Sequence, residues 1–77
     1  MPIMNRTSVK SSNIQSIGYD PGTETLEVEF SGERVYQYYG VPADLHAELM
    51  VAESHGSFLY EHISYRNPAP PFEYRKI

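Results

Sequence analysis

The chain has 77 residues, a formal net charge of −4 and no cysteine. A chain of this length forms one domain with a small hydrophobic core, and without cysteine neither a disulfide nor a thiolate metal site supports it. Residues 1–6 contain no long apolar stretch, so we predict no signal peptide and no membrane span, and the absence of cysteine favours a cytoplasmic location.

Acidic and basic residues are unevenly distributed along the chain. Residues 23–30 and 43–53 each contain three acidic residues and no base, and only Arg34 interrupts this acidic middle. Because phosphate neutralisation supplies most non-specific affinity for nucleic acids, an acidic domain with basic ends is a poor general nucleic-acid binder.

Three segments have the pattern of β-strands. Ile14, Ile17 and Tyr19 mark the first, and their uneven spacing indicates a bulge or late entry near Ser16. Residues 25–30 alternate cleanly between apolar and polar side chains, and residues 34–39 form the third strand. Turns are predicted at Asp20-Pro21-Gly22 and Ser31-Gly32-Glu33, so the three strands form an antiparallel meander.

The length of the second turn decides which tyrosines are buried. A three-residue loop places Tyr36 and Tyr38 on the buried face, whereas a two-residue loop places Val35 and Tyr39 there, because a one-residue slip reverses every side chain. We favour the three-residue loop, since it buries two large rings and Gly32 can adopt the positive φ that such a loop needs. In either register the opposite face contains Glu27 and Glu29, which we expect to be solvated and to repel phosphate.

Two short helices are predicted after the meander. The first starts near Pro42 and buries Leu45 and Leu49, which lie four residues apart. Residues 54–56 end it, and a second helix is expected over about 57–64. The proline-rich segment that follows favours extended backbone.

The predicted fold is therefore α+β, with a three-stranded antiparallel β-meander followed by two short helices packed on one face. We divide the chain into a loose lead-in (1–10), a folded domain (11–65) and a proline-rich tail (66–77). The expected core consists of Ile17, Tyr19, Leu26, Val28, Phe30, Tyr36, Tyr38, Val41, Leu45, Leu49, Phe58, Leu59 and Ile63.

Several short motifs, taken in order, resemble the KTSC domain. They are Ser11-Ser12-Asn13-Ile14, Gly18-Tyr19-Asp20, Leu26-Glu27-Val28-Glu29-Phe30, Tyr36-Gln37-Tyr38, Val41-Pro42 and Ser54-His55-Gly56-Ser57-Phe58-Leu59 with Ile63. This family takes its name from the C-terminus of some lysyl-tRNA synthetases and also occurs as small free-standing bacterial proteins. The likeness spans about residues 10–65.

The resemblance implies a non-enzymatic binding module whose partner is RNA or an RNA-associated protein. The alternative hypothesis is a protein-interaction module that binds a partner or forms a homo-oligomer, through the open sheet face or through the C-terminal tail. In the tail, Pro70-Pro71-Phe72 with Tyr74 resembles a ligand for an aromatic groove.

No pattern in the chain indicates catalysis or metal binding. His46, His55 and His62 are separated by nine and seven residues, without the short matched spacing of zinc ligands. No serine lies in a nucleophile elbow, and no glycine cluster forms a phosphate loop. We therefore predict no enzyme activity, no metal, no cofactor and no small-molecule substrate.

The candidate binding residues are aromatic and basic. Tyr36 and Tyr38 could stack on bases, although we favour core packing for both. Phosphate groups would more readily contact the basic side chains, because these can be reached without crossing the acidic face. The full candidate set is Arg34, Tyr36, Tyr38, Tyr39, Arg66, Arg75 and Lys76.

Overall fold

The computed structural model describes residues 6–64 and 72–77. The elements are strands β1 (Arg6–Ser8), β2 (Ile14–Asp20), β3 (Thr25–Phe30) and β4 (Arg34–Tyr39), helices α1 (Ala43–Met50) and α2 (His55–Leu59), a π-helical segment (Tyr60–Ser64) and strand β5 (Glu73–Lys76). The strands form one antiparallel sheet in the order β1-β2-β3-β4-β5. Among the described residues, no helix is long and apolar enough to cross a membrane.

The α+β class is confirmed, but the prediction of three strands is wrong because the described residues form a sheet of five. The two additional strands lie at the edges: β1 comes from the expected lead-in and β5 from the expected tail. Every residue of both strands is exposed. Such edge strands are held mainly by backbone hydrogen bonds to one neighbour, so they need no alternating apolar pattern that the sequence could reveal.

The predicted bulge and strand register are confirmed. The β2–β3 register shifts between Ile14 and Ser16. In the β3–β4 pair Phe30 lies opposite Arg34, which fixes the three-residue loop. Gly32 in that loop has a φ of 84°, as such a turn requires. Tyr36 and Tyr38 therefore lie on the same face as the apolar residues of β3.

The core lies between this sheet face and the helices. It consists of Ile14, Ile17, Leu26, Val28, Tyr38, Val41, Leu49, Leu59 and Ile63. Ile14 was absent from the predicted core, because the bulge returns it to the face of Ile17 against strict alternation. The other predicted core residues, Tyr19, Phe30, Tyr36, Leu45 and Phe58, are only partly buried.

Helix α2 begins two residues before the predicted start. Helix α1 ends at Met50, before the predicted break at residues 54–56, and Ser54 caps α2, since its Oγ accepts a hydrogen bond from the Ser57 amide at 3.2 Å. A serine at this position satisfies a backbone donor that the first helical turn leaves unpaired. After Leu59 the helix continues as the π-helical segment.

A stacked pair joins the sheet to helix α1. The rings of Tyr19 and His46 lie 4.5 Å apart between centroids and 9° from parallel. The Tyr19 hydroxyl donates a hydrogen bond to the Val41 carbonyl at 2.5 Å. Burial, with a further contribution from nearby carboxylates, raises the pKa of Tyr19, and burial lowers the pKa of His46.

The lowered pKa of His46 predicts that stability falls on acidification. The contribution of neutral His46 to the free energy of unfolding is fully present above the unfolded pKa of about 6.5. It is lost as the pH falls from there through the lower folded pKa, because the unfolded chain binds the proton first. Urea unfolding across this pH range should therefore show a smaller loss for His46→Phe, which retains an aromatic ring against Tyr19. The other histidines are present in both proteins, so any contribution they make cancels when the two losses of stability are compared. Equal losses would contradict this assignment.

Candidate nucleic-acid interface

The helix-covered face of the sheet becomes more exposed towards the β3–β4 turn and towards the edge strand β5. Tyr38 is only 4% exposed, whereas Tyr36 and Phe30 are partly buried and Tyr74 is 47% exposed. We call Phe30, Tyr36 and Tyr74 the aromatic strip. Because these residues come from β3, β4 and β5, the strip crosses three adjacent strands.

Ring contacts make the aromatic strip continuous. Phe30 meets Tyr36 edge to face, with centroids 5.7 Å apart and planes at 82°. Tyr74 lies 6.2 Å from Tyr36 and 5.9 Å from Tyr38, with planes tilted by 45° and 34°. Such contacts each stabilise by about 0.5–1.5 kcal/mol, so the exposed rings are held in place by buried ones.

Two cationic residues flank the strip. The Arg34 guanidinium lies 6.0 Å from the centre of the Phe30 ring, and it donates two hydrogen bonds of 3.2 Å to the Ser31 carbonyl. Lys76 lies opposite Tyr36 in the β4–β5 pair, so it belongs to the same face. Within residues 6–64 and 72–77 neither forms an ion pair. Exposed rings and positive charge therefore occur together on this surface.

The structure brings together only some of the predicted binding residues. Arg34, Tyr36 and Lys76 share the strip's surface, and Tyr38 shares its face but is buried. Tyr39 and Arg75 lie on the opposite face of the sheet, as their register partners show. The predicted contact Arg66 lies outside the described residues.

Tyr74 is the site residue that was missing from the predicted set. The sequence places it in the tail, where Pro70-Pro71-Phe72 with Tyr74 is the candidate partner-binding motif; Pro70 and Pro71 lie outside the described residues. In the structure Phe72 packs against the domain's own core and Tyr74 against two of its own tyrosines. The alternate spacing of Tyr74 and Lys76 is a strand signal that could have placed both on one face.

The opposite face of the sheet is not the solvated anionic surface that the sequence suggested. Glu27 is only 7% exposed, and its carboxylate forms an ion pair with Arg6 and accepts a hydrogen bond of 2.8 Å from Gln37. Ser16 donates a hydrogen bond of 2.8 Å to Glu29. The expectation that Glu27 is solvated is therefore wrong.

Strand β1 explains this correction. Arg6 lies opposite Gly18, and Gly18 lies opposite Glu27 on the next strand. Glycine has no side chain, so Arg6 reaches across β2 to the carboxylate. The charge of Glu27 is thus compensated within the sheet, and less repulsion of phosphate remains than the sequence implied.

The three histidines make separate contacts. His46 stacks on Tyr19, His62 lies 4.4 Å from Phe58 between ring centroids, and His55 Nε2 lies 3.3 Å from the Met50 carbonyl. Across the described ranges, no three His, Cys, Asp or Glu side chains converge in a way that could hold a metal ion.

Comparison with known proteins relates this fold to a family. The KTSC domain model matches residues 10–66. The fold also matches the crystal structure of a KTSC domain protein from Yersinia pestis, with a TM-score of 0.86, 43% identity and coverage of 97% of this chain and 99% of that one.

Relatives in sequence include both small proteins and one long enzyme. An uncharacterised protein of Stutzerimonas stutzeri is 43% identical over 69% of this chain and 75% of its own length. A lysine–tRNA ligase of Nostoc is 35% identical over 70% of this chain but only 10% of the ligase. The family match, the shared fold and these identities together establish that the chain belongs to the KTSC domain family.

Proposed function

We propose that the protein is a non-enzymatic module that binds single-stranded RNA on the aromatic strip. The observation behind this proposal is the juxtaposition of the exposed Tyr74 ring and the partly exposed Tyr36 ring with Arg34 and Lys76. Bases of single strands stack on exposed aromatic side chains, and nearby cations meet the phosphates.

The chemistry of the strip favours a single strand over a duplex. Stacking requires an unpaired base with a free face, and the strip offers tilted rings rather than a deep basic groove. Among the described residues two cations flank the strip, and the chain has a net charge of −4, so the affinity should be modest and the electrostatic contribution small.

The relationship to the Nostoc lysine–tRNA ligase supports an RNA-associated role and a cytoplasmic location. The matched segment is only 10% of that ligase, so the similarity concerns one module and not the ligase's activity. An RNA-associated protein as the partner is the competing outcome, and it predicts that a free oligonucleotide is not bound even at low salt.

Fluorescence anisotropy with a labelled oligouridylate across a salt series tests the proposal. Tyr74→Ala should weaken binding by about 1–3 kcal/mol, because it removes one stacking platform. Lys76→Gln should weaken binding and reduce the magnitude of the log–log salt slope by about 0.7, the value for one phosphate contact on a single strand.

The adjacent residue provides a matched control. Arg75→Gln removes the same charge from the same strand, but Arg75 lies opposite Gln37 on the other face. Binding should therefore depend more on Lys76 than on Arg75. Equal losses for both variants would indicate non-specific attraction, and no binding at low salt would overturn the proposal.

A further inference from the structure

Strand β5 forms one edge of the sheet. It is the last strand in the sheet order, and each of its residues is exposed. Beyond its end, the Ile77 amide donates a hydrogen bond of 2.8 Å to the Val35 carbonyl. Alternate residues of an antiparallel strand bond to the same neighbour, so the backbone groups of Tyr74 and Lys76 point away from β4. Among the described residues, no strand pairs with them on that side.

An edge with unpaired backbone groups can accept a further strand. The opposite edge is less suited to this, because β1 has three residues and its Arg6 is already paired with Glu27. Two copies that meet antiparallel along β5 are related by a two-fold axis perpendicular to the sheet. Residues of the same face then lie opposite each other, and the pairing is centred on one residue of the strand.

The charges of β5 distinguish the possible centres of this pairing. A centre at Glu73, Arg75 or Lys76 places that residue opposite itself in the second copy, and directly opposed like charges destabilise a sheet. A centre at Tyr74 instead places Glu73 opposite Arg75 of the second copy, twice by symmetry. Within the described residues neither Glu73 nor Arg75 forms an ion pair of its own. Both charges are therefore free to pair between copies.

We propose that the protein forms a symmetric dimer in which β5 pairs with β5 of a second copy, centred on Tyr74. The result is one continuous sheet with five strands from each copy. Backbone hydrogen bonds hold the two edges together, and the two Glu73–Arg75 pairs select the register. One four-residue strand per copy buries less than the roughly 1,000 Å² of a stable interface, so the Kd should be on the order of 0.1–1 mM.

The dimer joins the aromatic strips of the two copies. Tyr74 lies opposite Tyr38 and so belongs to the helix-covered face, which continues from one copy into the other. A single strand of RNA that spans both strips makes its second contact intramolecularly, and so favours the dimer. This consequence rests on the proposed function, whereas the dimer itself is measured without RNA.

Sedimentation equilibrium without RNA, from about 0.05 to about 2 mM protein, brackets this Kd and measures the dimer. In ¹⁵N-labelled protein the amide signals of Tyr74 and Lys76 should shift with concentration, because their N–H groups become hydrogen-bonded. The signal of Thr7, on the opposite edge strand, should not shift.

Charge reversals test the register. Arg75→Glu and Glu73→Arg should each weaken dimerisation by about tenfold or more, since each replaces two attractive pairs with two repulsive ones. The matched control is Lys10→Glu, which makes the same change of charge as Arg75→Glu at an exposed position outside β5. That variant should dimerise as the parent protein does.

Recovery experiments separate the charge effect from misfolding. An equimolar mixture of the Arg75→Glu and Glu73→Arg proteins should form a heterodimer, because opposite charges again face each other. The double variant, with both reversals in one chain, should dimerise as the parent does for the same reason. A parent protein that remains monomeric at the highest concentration, concentration-dependent shifts at Thr7 in place of Tyr74, or no recovery in the mixture and the double variant would overturn the proposal.

Discussion

Replacing Tyr38 with alanine is expected to cost about 3–5 kcal/mol of unfolding free energy, as for other large aromatic core residues. Tyr38 is 4% exposed and belongs to the buried cluster between sheet and helices. A domain of this size has a total stability of only about 4–12 kcal/mol. The substitution should therefore unfold a measurable part of the population at room temperature.

Urea denaturation followed by circular dichroism measures this loss. The control is Tyr39→Ala on the same strand, because Tyr39 lies on the opposite face and its hydroxyl donates to Gln37 at 3.1 Å. That variant loses one ring outside the core and should be clearly more stable than Tyr38→Ala. If both variants lost the same stability, the assignment of Tyr38 to the core would be wrong.

The second large effect concerns the ion pair between Arg6 and Glu27. Arg6→Met should cost about 1–3 kcal/mol, because it leaves a nearly buried carboxylate with Gln37 as its remaining partner. Side-chain exposures of 27% for Arg6 and 10% for Glu27 place the pair between the surface and buried limits. The loss should also weaken the docking of β1.

A double-mutant cycle isolates this pair. Glu27→Gln removes the charge that Arg6 neutralises, so the double variant should be less destabilised than the sum of the two single variants. Arg75→Met serves as a control, since it removes an exposed cation from the other edge of the same sheet face. Additive losses, or an equal loss for Arg75→Met, would show that the ion pair does not hold β1.

The central strands could be predicted from the sequence because their side chains alternate around a buried face. Residues 25–30 show this period, and the turn at Gly32 fixes the register of the next strand. Edge strands obey no such constraint. Arg-Thr-Ser in β1 and Glu-Tyr-Arg-Lys in β5 are exposed at every position, so neither shows the alternation of apolar and polar side chains seen in β3, and the spacing of Tyr74 and Lys76 is the one local signal for β5.

The missing edge strands also explain the errors about the candidate site. Without β1, Glu27 has no visible counter-charge, although Arg6 lies 21 residues away in sequence and meets it across Gly18. Without β5, Tyr74 and Lys76 are tail residues and not neighbours of Tyr36 and Tyr38. Long-range pairing of this kind is set by tertiary structure and not by local pattern.

The ring signals of the tyrosines test the central claim most directly. In a ¹H–¹³C spectrum of aromatic side chains, addition of a short oligouridylate should move the ring resonances of Tyr74 and Tyr36, because a stacked base adds its own ring current. The ring of Tyr39, on the opposite face, should not move. Shifts at Tyr39 without shifts at Tyr74, or no shifts at any tyrosine under conditions where anisotropy detects binding, would contradict binding on the aromatic strip.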